Sequence, residues 1–269
     1  MSAGPADGQE PRSSAGAAVS SWELHGRALA HWWAGAHDTV VEVIDEVGEV
    51  DPVRVEVFFR PPEQLDEWEL LALDACHGRV LDLGAGAGCH ALALEARGLS
   101  VIALEVSADA VEVMTQRGVG DARCATAESW PAVAMASSWP AVSATELQSG
   151  SQEQPPSLED GAVAESFDSM LMLMHGAGLA GDLDGFVALL AHVREVLVPF
   201  GALIIDSCDP GCGAAVAELH IAYQGEVGEP FDWLYLDAET LCDVARDAGF
   251  AAEVLWQDES GRHLCRLVC

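Results

Sequence analysis

Short apolar runs alternate with amphipathic stretches along most of the chain, a pattern typical of a parallel sheet covered by helices. Strands are predicted at residues 80–83, 100–104, 122–126, 169–174 and 202–206. Helices are predicted at residues 87–97, 107–117, 183–198 and 238–248. Repeated strand–helix units predict an α/β fold with a doubly wound, mostly parallel sheet.

Both ends of the chain depart from this alternation. Residues 1–21 are rich in Ala, Gly and Ser without an apolar core, which predicts a disordered tail. Residues 22–77 predict an N-terminal helical cap, and residues 78–269 the main domain. Residues 251–256 and 263–269 predict a C-terminal antiparallel hairpin.

One segment within the main domain breaks the pattern. Ser-Trp-Pro-Ala-Val occurs at residues 129–133 and again at 138–142, and a tract rich in Ser, Gln, Pro and Glu follows. This composition predicts a low-complexity insertion at residues 130–165. It is either a tolerated surface expansion, which we favour, or a lid.

The net charge of −32 limits the classes of partner. Such a surface repels nucleic-acid backbones and anionic membranes, so neither is expected as a partner. No apolar run approaches about 20 residues, so no membrane span is expected. All twelve basic residues are arginine, and the excess of acids is typical of proteins from a high-salt, halophile-like cytoplasm, where salt screens self-repulsion.

The eight cysteines are scattered, without Cys-x-x-Cys spacing or paired histidines. We therefore expect no metal site, and most of these thiols should be small buried hydrophobes. With no secretory signal core, the expected compartment is the reducing cytoplasm. The oligomeric state stays open.

The most informative motif is a glycine loop that ends the first predicted strand. Gly84, Gly86 and Gly88 alternate there, two residues after Asp82, and the next strand ends at Glu105. Glycines let the backbone turn and approach a ligand closely, and an acid about 20 residues on can accept ribose hydroxyls. This layout predicts a nucleotide-type pocket at the sheet edge.

Asp-x-Gly-x-Gly-x-Gly resembles motif I of the class I S-adenosylmethionine (SAM) methyltransferases. Residues 167–181, with residues 206–209, resemble a bacterial subgroup of that family. The resemblance implies SAM as cofactor and a Rossmann-like sheet that ends in the predicted antiparallel hairpin. It also implies a set of cofactor-binding residues: Asp82, Gly84, Ala85, Gly86, Gly88, Glu105, Val106 and Glu128.

By the same resemblance, the glycine backbone lines the methionine part of the cofactor, and Asp82 supports the loop or binds the amino group. Glu105 would hold the ribose. Glu128, which follows the third strand, would accept a hydrogen bond from the adenine amine.

Acceptor-binding candidates follow the other strands or belong to aromatic segments. His175 follows the fourth strand and is either a general base or a partner for a loop carbonyl. Asp206 follows the fifth strand as a candidate substrate contact. Arg60, Tyr223 and Trp233 are either substrate walls or residues that close the core beneath the cap.

The predicted function is methyl transfer from SAM to a small-molecule acceptor by in-line SN2 displacement. One alternative is a SAM-binding sensor that transfers no methyl group. An aminopropyl transferase is disfavoured because acids that would hold a polyamine are lacking. An NAD-dependent oxidoreductase is disfavoured because Cys89 stands where a dinucleotide loop needs its third glycine.

Overall fold

The computed structural model describes residues 19–125, residue 129 and residues 166–269. The predicted insertion at 130–165, the predicted cofactor residue Glu128 and residues 1–18 of the predicted tail lie outside this part of the chain. The helices are α1 (Ser21–Trp33), α2 (Glu67–Ala75), α3 (Cys89–Ala96), α4 (Ala108–Arg117), α5 (Leu183–Val196) and α6 (Ala238–Asp247). Short 3-10 helices are η1 (Val55–Phe59), η2 (Pro62–Gln64) and η3 (Gly176–Ala180).

The main sheet has seven strands in the described residues. They are β3 (Arg79–Leu83), β4 (Ser100–Glu105), β5 (Ala122–Cys124), β6 (Phe167–Met172), β7 (Leu197–Cys208), β11 (Ala251–Gln257) and β12 (Arg262–Val268). Their order across the sheet is β11-β12-β7-β6-β3-β4-β5. Neighbours from β7 to β5 pair in parallel, whereas β12 runs antiparallel between β7 and β11. The doubly wound, mostly parallel sheet with its C-terminal hairpin is therefore confirmed.

A second, antiparallel sheet differs from the prediction. Its strands are β1 (Val40–Asp45), β2 (Val50–Arg54), β8 (Ala214–Tyr223), β9 (Glu226–Val227) and β10 (Phe231–Leu236). The order is β10-β8-β1-β2, with β9 beside β8. Residues 22–77 thus contain a hairpin as well as helices. Its β1 strand pairs with β8 from the far end of the chain, and such a contact leaves no local periodic signal.

Strand β7 is longer than predicted. Residues 199–201, which separate the predicted helix at 183–198 from the predicted strand at 202–206, lie within β7, where Phe200 takes a φ of +67° and is 80% exposed. The pairing with β6 shifts register between Phe167 and Ser169. The strand therefore continues through an irregularity.

Apolar residues of the main sheet alternate between two buried faces. Leu81, Ile102 and Ile205 pack in the cluster that contains α5 and α6 residues. Val80 and Ile204 belong to the opposite cluster, against α2 and α3. Burial on both faces explains the nearly continuous apolar sequence of these strands.

Helix α1 joins the second sheet to the main domain. It begins with Ser20 in a reciprocal capping box, and the Ser21 hydroxyl donates to the carbonyl of Glu229. A Cβ on Gly26 would lie 1.8 Å from Ser107 Oγ at the start of α4, so α1 makes a contact there that only glycine permits. This contact places α1 beside the carboxyl end of β4.

In the described part of the chain, the helices are all too short or too polar to cross a membrane.

Candidate active site

The site lies where the strand order reverses. The chain passes from β3 through β4 to β5 on one side of the sheet, whereas β6 lies on the other side of β3. Such a reversal opens a crevice beyond the carboxyl ends of the two central strands. The glycine loop after β3 and the loop after β6 border this crevice on its two sides.

All three predicted glycines adopt left-handed backbone conformations. Their φ values are +76° at Gly84, +56° at Gly86 and +81° at Gly88. A Cβ would lie 2.9 Å from Leu179 Cδ1 at Gly84 and 2.9 Å from Val119 Cγ2 at Gly88. At Gly86 the nearest atom, Phe58 Cδ1, would be 3.8 Å away, an ordinary van der Waals contact, so the positive φ and not a steric clash favours glycine there.

Glu105 closes the loop against the end of β4. Its Oε2 accepts the N–H of Gly86 at 2.9 Å, and its Oε1 accepts the N–H of Val106 at 2.7 Å. The N–H of Ser107 lies 3.4 Å from the same Oε1. Burial raises the pKa of this carboxyl, and the three N–H groups oppose that rise. An ionised carboxylate has further acceptor sites, so Glu105 fits a ligand that donates hydroxyl groups.

Asp82 lies beneath the same loop. It is 2% exposed, and its Oδ2 has no hydrogen-bond partner. Burial raises the pKa of this carboxyl from 3.8 to about 6, and the charge of Glu105 adds to the rise while His90 opposes it. An unpartnered buried carboxylate oxygen beside a ligand-binding loop fits a positively charged ligand group, such as an amino group.

A buried polar chain supports the loop from α2 and α3. His90 Nε2 lies 2.8 Å from Glu69 Oε1, which also accepts from Arg60 at 2.7 Å. Burial lowers the pKa of His90, but interactions with Cys89, Glu69 and Asp82 outweigh it and raise the pKa well above 6.5. Sequence reasoning missed Glu69 and His90. The sequence does not distinguish them from the other polar residues of these helices, such as Glu67 and Asp74 in α2 and Glu95 in α3.

Arg60 is therefore occupied by internal contacts. Its guanidinium donates to the Val57 carbonyl at 3.0 Å as well as to Glu69. These bonds fasten η1 to α2, which explains the residue as a support for the pocket wall. The proposed substrate contact of Arg60 stays a prediction.

Arg117, which sequence reasoning also missed, connects η1 with the glycine loop. Its guanidinium donates to the carbonyl of Ala87 and, at 3.4 Å, to that of Phe58. It also stacks over the Phe59 ring at 4.9 Å. This contact network sets the position of Phe58 beside Gly86.

The loop after β6 has an unusual backbone. Met174 and His175 have φ values of +68° and +62°, although neither is glycine. Two consecutive left-handed side-chain residues store strain, and such strain is concentrated at functional sites. The carboxylate of Asp206 compensates by accepting the N–H groups of His175 and Gly176, each at 3.0 Å.

Asp206 is itself fully buried and paired. Arg262 donates to its Oδ2 at 3.0 and 3.2 Å, and the guanidinium lies 4.2 Å from the Trp68 ring. Asp206 thus positions the loop after β6 from the buried side of that loop. A direct substrate contact of Asp206 stays a prediction.

The His175 side chain lies at the rim of this loop. Its Nδ1 is buried without a partner, and its ring lies 6.0 Å from the Tyr235 ring. Burial lowers the pKa of His175, as does the Arg262 charge, whereas Asp206 opposes the shift. The imidazole is therefore neutral near pH 7 and is able to accept a hydrogen bond.

Half-buried aromatic and imidazole rings connect the two loops that border the crevice. The Trp233 ring packs on Gly178, where a Cβ would lie 2.0 Å from Trp233 Cε2. Trp22 lies 5.9 Å from Trp233 and 6.5 Å from His25, and His25 lies 4.8 Å from Phe58. We call Trp233, Trp22, His25 and Phe58 the aromatic arc. It runs from the loop after β6 to the glycine loop.

Tyr223 lies apart from this arc. Its hydroxyl lies 2.8 Å from His31 Nδ1, and its ring belongs to the core between α1 and the second sheet. The role of Tyr223 as part of a substrate-binding wall stays a prediction.

The described residues contain no group of three or more His, Cys, Asp or Glu side chains that could hold a metal ion.

The structure resembles that of a SAM-dependent methyltransferase from Bacteroides fragilis in complex with S-adenosyl-L-homocysteine (SAH). The identity is 30%, the TM-score is 0.73, and the match covers 92% of this chain and 95% of that one. Weaker matches include the DhpI–SAH complex, at 17% identity and a TM-score of 0.48 over 91% and 96% of the two chains. Another is the CcbJ methyltransferase from Streptomyces caelestis, at 14% identity and a TM-score of 0.48 over 78% and 91%.

No protein-family profile matches the chain, and no curated protein matches its sequence. The match to the Bacteroides fragilis protein covers nearly the whole of both chains. The chain belongs to the SAM-dependent methyltransferases.

Proposed function

We propose that this protein transfers the methyl group of SAM to a small-molecule acceptor by in-line displacement. Family membership supports the reaction class. The observation that carries the proposal is the hydrogen bond between Glu105 Oε2 and the N–H of Gly86. It brings the acid at the end of β4 against the glycine loop, as one nucleoside site requires.

The chain's own residues account for each part of the cofactor. Glu105 accepts hydrogen bonds from the ribose hydroxyls, while the backbone of Gly84, Ala85, Gly86 and Gly88, with Val106 beside it, lines the pocket. The unpartnered Oδ2 of Asp82 is the acceptor for the amino group. Glu128 is proposed to contact adenine. When bound, the cofactor supplies a methyl group that its sulfonium already activates for attack.

The protein's contribution to catalysis is alignment and exclusion of water. Helix α1 and η1 cover one side of the crevice, since Gly26 contacts Ser107 and Arg117 holds Phe58 near the glycine loop. Holding the acceptor in line with the methyl group removes much of the entropic cost of the reaction. His175 is proposed to accept a hydrogen bond from the acceptor, and Trp233 to form part of its wall.

The aromatic arc, which runs across the crevice between its two loops, supports a small acceptor. A macromolecular nucleic-acid substrate is disfavoured by the net charge of −32, which repels phosphate. The same charge repels anionic membrane surfaces, so the proposed enzyme works in the cytoplasm without membrane docking. These points remain part of the proposal.

Calorimetric titration with SAM, SAH and NAD tests it. We expect micromolar binding of SAM and SAH, no binding of NAD, and at least about a 30-fold loss of SAM affinity in Glu105→Ala, because charge-assisted hydrogen bonds are lost. Glu253→Ala, an exposed acid on β11, serves as the matched control and should bind SAM normally. NAD binding, or no binding of either SAM-type ligand by protein with a cooperative thermal transition, would contradict the proposal.

A further inference from the structure

The aromatic arc and the charge distribution together indicate what kind of acceptor this site takes. Resting on the proposed methyl transfer, we infer that the acceptor is an amine, bound as its ammonium ion against the aromatic arc. Anionic acceptors, such as carboxylates and phosphates, are excluded by the same arrangement. The structure supports this inference in three independent parts.

The first part is the accessible aromatic surface. Trp22, Trp233 and Phe58 are each only partly buried, whereas core rings such as Phe167 are fully buried. Phe231 extends the arc, with its ring 4.7 Å from Trp22 and 5.9 Å from Trp233. Partly exposed Trp and Phe faces attract a cation through their quadrupoles, and Trp does so most strongly.

The second part is the pairing of the basic side chains in the described residues. The chain has no lysine, and every arginine in the described residues is already engaged. Eight of these arginines pair with carboxylates: Arg27, Arg54, Arg60, Arg97, Arg123, Arg246, Arg262 and Arg266. Arg117 and Arg194 donate to backbone carbonyls, and Arg79 stacks over the Phe167 ring. In the described residues, no arginine side chain is therefore free to neutralise an anionic acceptor in the crevice.

The third part is the protonation of the imidazole in the arc. Burial lowers the pKa of His25 to about 4, so its ring is neutral near pH 7. A neutral ring nitrogen accepts a hydrogen bond from an ammonium N–H, and it neither repels a cation nor attracts an anion. The long-range field of 32 excess negative charges acts in the same direction and concentrates cations around the protein.

The reaction at the amine balances as follows. The bound ammonium group first releases one proton to solvent water, which leaves a lone pair on nitrogen. That lone pair forms the new N–C bond, and the electron pair of the C–S bond remains on sulfur. The products are the N-methylated ammonium ion and SAH.

Matched ligands on the SAH-saturated protein test the inference by calorimetry. The probes are tryptamine, indole-3-ethanol and indole-3-acetate, with phenethylamine, 2-phenylethanol and phenylacetate as a second series. We expect each ammonium member to bind at least about tenfold more tightly than the carboxylate with the same ring. A tighter or equal carboxylate, or no measurable binding of either ammonium probe, overturns the inference.

Measurements at two ionic strengths distinguish ammonium binding by the aromatic rings from attraction to the net charge of the protein. At 1 M NaCl the screening length falls to about 3 Å, so long-range attraction is lost, while contact with the rings persists. We expect the ammonium preference to remain at fivefold or more by this argument, roughly half of the low-salt value. A preference that disappears at 1 M NaCl assigns it to the surface and overturns the inference.

A variant series places the preference in the arc. Trp22→Leu should weaken tryptamine binding at least about fivefold, and Trp22→Phe should restore most of it. Trp256→Leu, at a half-buried tryptophan that packs on Trp68 outside the arc, is the matched control and should bind tryptamine normally. If Trp22→Leu and the control behave alike, the arc is not the ammonium site.

SAH affinity is measured for every protein and keeps the two proposals distinguishable. A folded protein that does not bind SAH overturns the methyltransferase proposal itself. Normal SAH binding without an ammonium preference overturns only the inference about the acceptor.

Discussion

The buried carboxylate of Asp206 holds the backbone of His175 by accepting its N–H at 3.0 Å. His175 and the preceding Met174 both have left-handed backbones, and such conformations cost about 1–3 kcal/mol each in non-glycine residues. The carboxylate, itself paired with Arg262, stabilises this strained loop at the mouth of the crevice.

Asp206→Asn should therefore destabilise the protein strongly. An amide keeps the size of the side chain, but it removes the charge that Arg262 and the two N–H groups require. We expect a loss of about 3 kcal/mol in the free energy of unfolding, measured with urea, because the guanidinium is left without its partner.

The double variant Asp206→Asn/Arg262→Met is the control for that prediction. It removes both charges, so it should recover about 1 kcal/mol or more relative to Asp206→Asn alone. If the two losses are simply additive, the ion pair does not explain the destabilisation.

Asp82→Asn should stabilise the protein at high pH while weakening SAM binding. Because burial raises the pKa of Asp82 from 3.8 to about 6, ionisation costs stability above pH 6 and costs nothing below pH 4. This interval corresponds to about 3 kcal/mol at most, and it already includes the opposing attraction of His90. We expect the variant to gain about 1–3 kcal/mol at pH 8, and the gain to vanish as the pH falls through 6 towards 4.

Urea unfolding between pH 4 and pH 8 measures this gain. Asp243→Asn, at an exposed acid of α6, should show no comparable pH-dependent difference. A gain for Asp82→Asn that does not change with pH would show that the ionisation of Asp82 is not its cause.

Gly178→Ala should disrupt the contact between the loop after β6 and the aromatic arc. The added Cβ would lie 2.0 Å from Trp233 Cε2, and an indole ring cannot move away as the end of a flexible chain can. We expect a loss of about 1–3 kcal/mol in stability, and a larger proportional loss of methyl transfer than of SAM affinity.

Gly120→Ala is the matched substitution for this test. Its Cβ would meet only the end of the Glu95 side chain, at 3.0 Å, so stability and transfer should be nearly unchanged. Equal losses in both variants would mean that glycine acts at position 178 through the backbone alone.

Salt should stabilise the protein. The net charge of −32 produces self-repulsion in the folded state, and raising NaCl from 0.1 to 1 M shortens the screening length from about 10 to 3 Å. We expect the melting temperature to rise by at least about 4 °C, which corresponds to 1–2 kcal/mol for a chain of this size.

A charge-reversed variant checks the origin of that rise. Glu46 and Glu49 are exposed in the β1–β2 turn, so Glu46→Lys/Glu49→Lys lowers the repulsion without touching the core. Its melting temperature should depend less on NaCl than that of the natural protein. An identical salt response would indicate a cause other than self-repulsion.

The sequence by itself determined the centre of the site. Strand β3, the glycine loop, α3 and β4 follow one another without interruption, and each has its own local signal: an apolar run, alternating glycines or a terminal acid. For that reason the sequence alone leads us to expect Glu105 beside the glycine loop, and the hydrogen bond between Glu105 and Gly86 has this arrangement. Parallel strands then bring their carboxyl ends to one edge, so the crevice follows from the strand order.

Only the tertiary structure decided what surrounds this centre. The pairing of β1 with β8, the contact of Trp22 with Trp233 and the Glu69–His90 pair each join segments far apart in the chain. Periodicity reports which face of an element is apolar, but it does not report which distant element covers that face. Asp206 shows the consequence. Its place near the carboxyl end of β7 was readable, whereas its role as an internal support appeared only when the fold brought His175 and Arg262 to it.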